Sequence, residues 1–167
     1  MIDIIPPVAK EKLEAELTKE KFMRVTNFGE NCIFVCTAHD SPNVMKEIGR
    51  LREIAFRRAG GGTGKETDID AYDTAEIPYK QLIVWDPQDK EITGGYRFID
   101  LNNLQTEIRN DLKLATQGLL HFSDKFINEY LPYTIELGRS FVQPNFQSGS
   151  PARKTLFALD NLWDGLG

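Results

Sequence analysis

The chain has 167 residues, of which 41% are apolar and 27% charged, and a formal charge of −5. That is enough for one domain with its own core, and the acidic balance argues against nucleic acid as a partner. No apolar run approaches the ~20 residues of a bilayer span, and the first residues lack a basic segment followed by an apolar one, so a cytoplasmic location is expected.

The first thirty residues read as a polar arm, with "AKEKLEAELTKE" favouring helix and carrying Leu13 and Leu17 on one side. The organised domain is expected to run from residue 31 to 167. "NCIFVCTA" (31–38) is rich in strand formers, and Cys32 and Cys36 within it read as free thiols, too far apart on a strand to bridge. A helix follows, with Ser41 as expected cap, Pro42 at its first position, and Val44, Ile48, Leu51 and Ala55 facing the core. Arg52 and Phe56 lie four apart along one border of that stripe.

The next stretch, "RRAGGGTGKETDID", resembles a phosphate-holding loop only superficially. A Walker loop ending at Gly64-Lys65 requires glycine at position 59, where Ala59 stands, and a hydroxyl at position 66, where Glu66 stands. The stretch reads instead as a surface loop whose glycines give it slack, and as a mobile wall closing Asp70 and Asp73 over a bound substrate. Beyond it, residues 79–86 and 91–100 form two strands around the turn "PQDK", a hairpin. Residues 119–131 show a helical apolar pattern in Leu119, Phe122, Phe126 and Tyr130. Residues 133–142 read as a strand, and a last helix is expected to begin at Ser150 and Pro151.

Ionisable residues fall where buried positions are expected. Arg97 is mid-strand, and Glu136 and Arg139 sit within "YTIELGRSFV". On a regular strand Glu136 and Arg139 face opposite ways; a bulge at Gly138 brings both toward one cleft. Buried charges are costly unless paired, so three arginines (Arg52, Arg97, Arg139) and three carboxylates (Asp70, Asp73, Glu136) are expected to converge. A structural ion-pair network and an active site share this signature.

The ordered series Arg52-x-x-x-Phe56, Asp70-x-Tyr72-Asp73, Gly94-Gly95-Tyr96-Arg97 and Glu136-x-x-Arg139-x-Phe141-Val142 resembles the acyl-homoserine lactone synthases. With "AYDTAEIPYKQLIVWD" and "IELGRSFVQPNF" it is closer still to the ornithine-lipid and glycine-lipid N-acyltransferases, the hemolysin-like group. The resemblance implies a GNAT-like acyltransferase fold, mixed α/β. It covers the N-terminal part, with about four strands and flanking helices, and lacks C-terminal strands.

It also implies a reaction: transfer of a (3-hydroxy)fatty acyl group from acyl carrier protein, or coenzyme A, to the α-amine of an amino acid in aminolipid synthesis. The alternatives are a homoserine lactone synthase and a non-catalytic domain that binds acyl carrier or a partner. Partners implied are acyl carrier protein, the amino acid, a second acyltransferase and, transiently, the inner-membrane surface. No resident cofactor or metal is implied. Glu136 is the expected base. Arg52, Arg97 or Arg139 is expected to hold a substrate carboxylate, Asp70 and Asp73 an ammonium, and Phe56 and Phe141 the acyl path. Backbone N–H groups at a bulge near Gly138 are expected to stabilise the tetrahedral intermediate. Arg57, Arg58, Lys65, Arg153 and Lys154 are expected to dock the acidic carrier.

Overall fold

The computed structural model describes residues 2–102, 104, 106, 111–146 and 158–165. Its centre is one antiparallel sheet of five strands in sequence order: β1 (Phe22–Val25), β2 (Cys32–Cys36), β3 (Lys80–Asp86), β4 (Glu91–Asp100) and β5 (Ile135–Val142). Helix α1 (Lys10–Glu16) precedes the sheet and α2 (Pro42–Arg58) joins β2 to β3. The short α3 (Ala71–Thr74) and α4 (Ala158–Trp163) lie before β3 and after β5. None of the described helices is long and apolar enough to cross a membrane.

The polar arm expected over residues 1–30 does more than lie on the surface. It supplies β1, which pairs with β2, so the described sheet has five strands where about four were expected. Its "FMRV" is exposed at every position, which leaves no alternation to mark a strand. Glu16 of α1 reaches the start of α2, where its carboxylate accepts from the backbone N–H groups of Asn43 and Val44. That carboxylate caps the helix; Ser41, the expected cap, makes no side-chain capping bond.

The sheet separates two apolar layers. Val44, Ile48, Leu51 and Ala55 of α2 pack on Phe34, Cys36, Ile83, Trp85 and Phe141. On the opposite face Leu162 of α4 packs on Ile33, Leu82, Val84 and Tyr96. Residues 119–131 are not the regular helix their stripe suggests. A 3₁₀ turn (Ala115–Gly118), a π turn (Phe126–Tyr130) and a second 3₁₀ turn (Leu131–Tyr133) follow one another. Pro132 removes a donor from any longer helix.

Candidate active site

The β4–β5 ladder is broken where the charges meet. Gly95 pairs with Phe141 and Arg97 with Gly138, so Arg139 and Ser140 together oppose Tyr96. Arg139 takes a positive φ of 52°. The extra residue turns the Arg139 side chain to the α2 face, which Glu136, Gly138 and Arg97 already share. A second close approach brings in the acidic segment. A Cβ on Gly49 of α2 would stand 2.5 Å from Ile69 Cγ1, so only glycine lets residues 67–69 lie against the helix. The Asp68 N–H donates to the Gly49 carbonyl at 2.9 Å.

At the centre is Arg52, fully buried, whose Nη1 donates to both Asp73 oxygens at 3.2 Å and whose Nη2 donates to Gln81 Oε1 at 2.5 Å. Gln81 Nε2 donates back to Asp73 Oδ1 at 3.0 Å. Arg97 Nη1 donates to Asp70 Oδ1 at 2.7 Å and stands 3.4 Å from Asp73. Its guanidinium lies over the rings of Tyr72 and Tyr79. Asp70 and Asp73 also cap α3 reciprocally. Desolvation lowers the Arg52 pKa, opposed by Asp73. Desolvation pushes Asp70 up, but the hydrogen bond and charge of Arg97 overcome it and hold the carboxyl below its ordinary value.

Arg139 sits at the rim, 34% exposed, over the Phe56 ring. Its Nη2 is 3.4 Å from Asp68 Oδ1 and 3.6 Å from Asp70 Oδ2. These are ion-pair contacts without a hydrogen bond among the described residues. Asp68 was invisible to sequence reasoning, as were Gln81 and Tyr79. Only the repeated carboxylates of "TDIDAYD" hinted at it.

Glu136 shares the face but does not join the arginines. Its Oε1 accepts from the Thr116 N–H at 2.7 Å and from the Thr116 hydroxyl, and its Oε2 from the Tyr79 hydroxyl. Tyr79 Oη in turn accepts from the Ala115 N–H at 3.1 Å. Glu136 therefore anchors the 115–118 turn to the sheet. Phe141, expected on the acyl path, is buried in the core under α2. The apolar hollows lie on the opposite sheet face. One of about 370 Å³ is lined by Tyr96, Leu137, Leu162, Trp163 and the bulged backbone. Another of about 510 Å³, lined by Phe22, Val35, Leu82 and Phe98, shares Tyr96 with it.

The glycine loop is tied down rather than slack. Glu53, buried on α2, accepts from the N–H groups of Thr63 and Gly64 and from the Thr63 hydroxyl. A protein carboxylate thus fills the nest a phosphate would need. Arg57, expected to dock a carrier, is used internally: it donates to Glu53 at 2.6 Å and to the Lys65 carbonyl at 2.5 Å. Arg58 and Lys65 are exposed, while Arg153 and Lys154 fall outside the described residues.

The sequence profile of the acetyltransferase (GNAT) domain matches residues 51–156. A protein of Phocaeicola vulgatus named glycine N(alpha)-acyltransferase is 59% identical over 167 residues, covering 100% of this chain and 51% of the relative. One of the same name from Bacteroides thetaiotaomicron is 60% identical over 171 residues, covering 100% of this chain and 50% of the relative. The chain spans about half the length of these curated relatives. No solved structure matches.

Proposed function

The chain belongs to the GNAT acyltransferase family, and from that premise we propose that it acylates the α-amine of an amino acid, glycine first among them, with a fatty acyl thioester. The observation that carries the reading is the cluster at the β5 bulge. Its two rim members have opposite charge and lie 3.6 Å apart: Arg139, and Asp70 at 28% exposure. An amino acid zwitterion presents the same two charges in reverse. Its carboxylate suits the Arg139 fork and its ammonium the aspartates.

The acyl chain lies on the other face, in the hollow beneath Leu162 and Trp163. Charged acceptor and apolar donor then meet only at the bulge, where the ladder is interrupted. The register shift interrupts the ladder there, and backbone N–H groups beside it serve the oxyanion. The donor is carried on acyl carrier protein. Exposed Arg58 and Lys65 offer positive charge to its acidic surface. The product is an amphiphile, which suits aminolipid synthesis at a membrane surface with a second acyltransferase adding another chain.

The test is product mass after incubating the full-length protein with acyl-loaded carrier, or acyl-coenzyme A, and glycine, ornithine or S-adenosylmethionine in parallel. N-acylglycine is expected, faster from the carrier. Absence of any N-acyl amino acid would overturn the reading.

A further inference from the structure

We propose that Asp68 is the proton acceptor for the attacking amine. The inference rests on the function proposed above and assigns a step within it. A general base needs a lone pair free to take a proton. Asp73 accepts from Arg52, Gln81 and the Asp70 N–H. Asp70 accepts from Arg97 and the Tyr72 N–H, both on Oδ1; its Oδ2 meets only Arg139, at 3.6 Å, but Arg97 holds this carboxyl below its ordinary pKa, which makes it a weak base. Glu136 is held by Tyr79 and Thr116. Asp68 differs: it is 2% exposed, and its Oδ2 is buried with no hydrogen-bond partner. An orphan acceptor in a charged cluster is a costly arrangement that needs a ligand to complete it.

Its surroundings point the same way. The charged groups facing Asp68 are Arg52 of α2, Arg139 of β5, and Asp70 and Asp73 beside it. Desolvation dominates and raises the Asp68 pKa above the ordinary aspartate value, against the opposing pull of the two arginines. Arg139 meets Asp68 at 3.4 Å without a hydrogen bond to hold it there. A substrate carboxylate that draws Arg139 outward uncovers the carboxylate behind it. Within glycine the nitrogen lies about 3 Å from the carboxylate oxygens, so a carboxylate on Arg139 delivers the amine between Asp68 and Asp70.

The step balances. Asp68 takes one proton from the bound ammonium, and the neutral nitrogen attacks the thioester carbon, sending the C=O π pair onto oxygen. As the C–N bond forms and the C–S bond breaks, the sulfur leaves as thiolate. The oxyanion pair re-forms the C=O as sulfur departs, the nitrogen's second proton passes to sulfur, and Asp68 releases the first proton to solvent. Amide and free thiol result, with Asp68 ionised again.

The test compares Asp68→Asn and Glu136→Gln with wild type in the full-length protein, using glycine and acyl-loaded carrier over a pH series. Asp68→Asn is expected to lower kcat by about 10²-fold or more, to leave the KM for glycine within a few-fold, and to abolish the carboxylate limb on the acid side. Only the amine's own ionisation then remains. Glu136→Gln is expected to keep that limb. Should the Asn variant fold poorly, Asp68→Ala assayed with and without formate gives a second reading, with formate restoring turnover. Loss of the acid limb in Glu136→Gln but not in Asp68→Asn would overturn the assignment, as would an Ala variant that formate leaves unrescued. A wild type that acylates no amino acid brings down the function itself. An active wild type matched by Asp68→Asn brings down this inference alone.

Discussion

Arg139 is the residue on which the proposed acceptor site turns. Arg52 and Arg97 are held by short hydrogen bonds under the surface, and moving either leaves buried carboxylates uncompensated. Arg139 has none of these ties, only two contacts of 3.4 and 3.6 Å at the rim. Such a loose, one-third exposed pair contributes little to stability, about 0–1 kcal/mol. Its use is therefore to be sought in binding. Arg139→Gln is expected to raise the KM for glycine about 10- to 100-fold, the loss of a charged hydrogen-bonded pair at roughly 1.5–3 kcal/mol. The melting temperature should stay close to wild type, and a drop of many degrees with unchanged KM would place the residue in the scaffold instead. The sequence already pointed to this arginine, because a charge inside an apolar strand stands out. It did not point to Asp68, whose neighbours are as acidic as itself. The burial of Asp68 is set by a contact across nineteen positions of chain, from Gly49.

At the scale of elements, the glycine loop shows how a motif's composition can mislead about what holds it. Its spacing departs from that of a Walker loop, and glycine content alone suggests a slack that the bonds to Glu53 remove. Glu53 lies ten residues earlier on a helix, and nothing local announces that its carboxylate folds the loop around itself. Burial pushes Glu53 up, but the Thr63 hydroxyl, Arg57 and the N–H groups of Thr63 and Gly64 outweigh it and bring the pKa down from 4.5 to about 2. A carboxyl depressed in the folded state stabilises fully above its unfolded pKa, near 4.5, and loses that contribution as pH falls toward about 2. Glu53→Gln is expected to cost about 2–3 kcal/mol near neutral pH and to flatten the stability curve over that acid window. Denaturant melts at pH 7, 4.5 and 3 read both effects. Equal losses at all three pH values would mean that the charge of Glu53 is not what holds the loop. The helix 42–58 and the hairpin 79–100 were legible because period and turn residues agree there. The strand β1 was not, since an exposed edge strand carries no alternation.

Across the whole molecule, the sheet acts as a partition. Periodicity can tell which residues of β4 and β5 share a face, but not which face gathers the charges and which the apolar hollows. That is decided by α2 docking on one side and α4 on the other. The expectation that Phe56 and Phe141 line the acyl path put both substrates on the α2 face. There the core is already filled, with Phe141 packed over Gly95. Among the described residues, the hollow under Leu162 and Trp163 has apolar walls and opens at the bulge. In the arrangement proposed above, its size sets the donor. Leu137 points into this hollow from the unpaired side of β5 and is partly exposed, so a larger side chain there meets space rather than core. Leu137→Trp is expected to leave the fold and the KM for glycine near wild type while shortening the preferred acyl chain. Each methylene turned away shifts the preference by about 1–3 kcal/mol, roughly 10- to 200-fold in kcat/KM. Competition between short and long acyl thioesters, read by product mass, measures the ratio directly. If the ratio stays at its wild-type value while Trp fills the hollow, the acyl chain runs elsewhere, and the sheet does not divide donor from acceptor as this arrangement of charge and apolar surface requires.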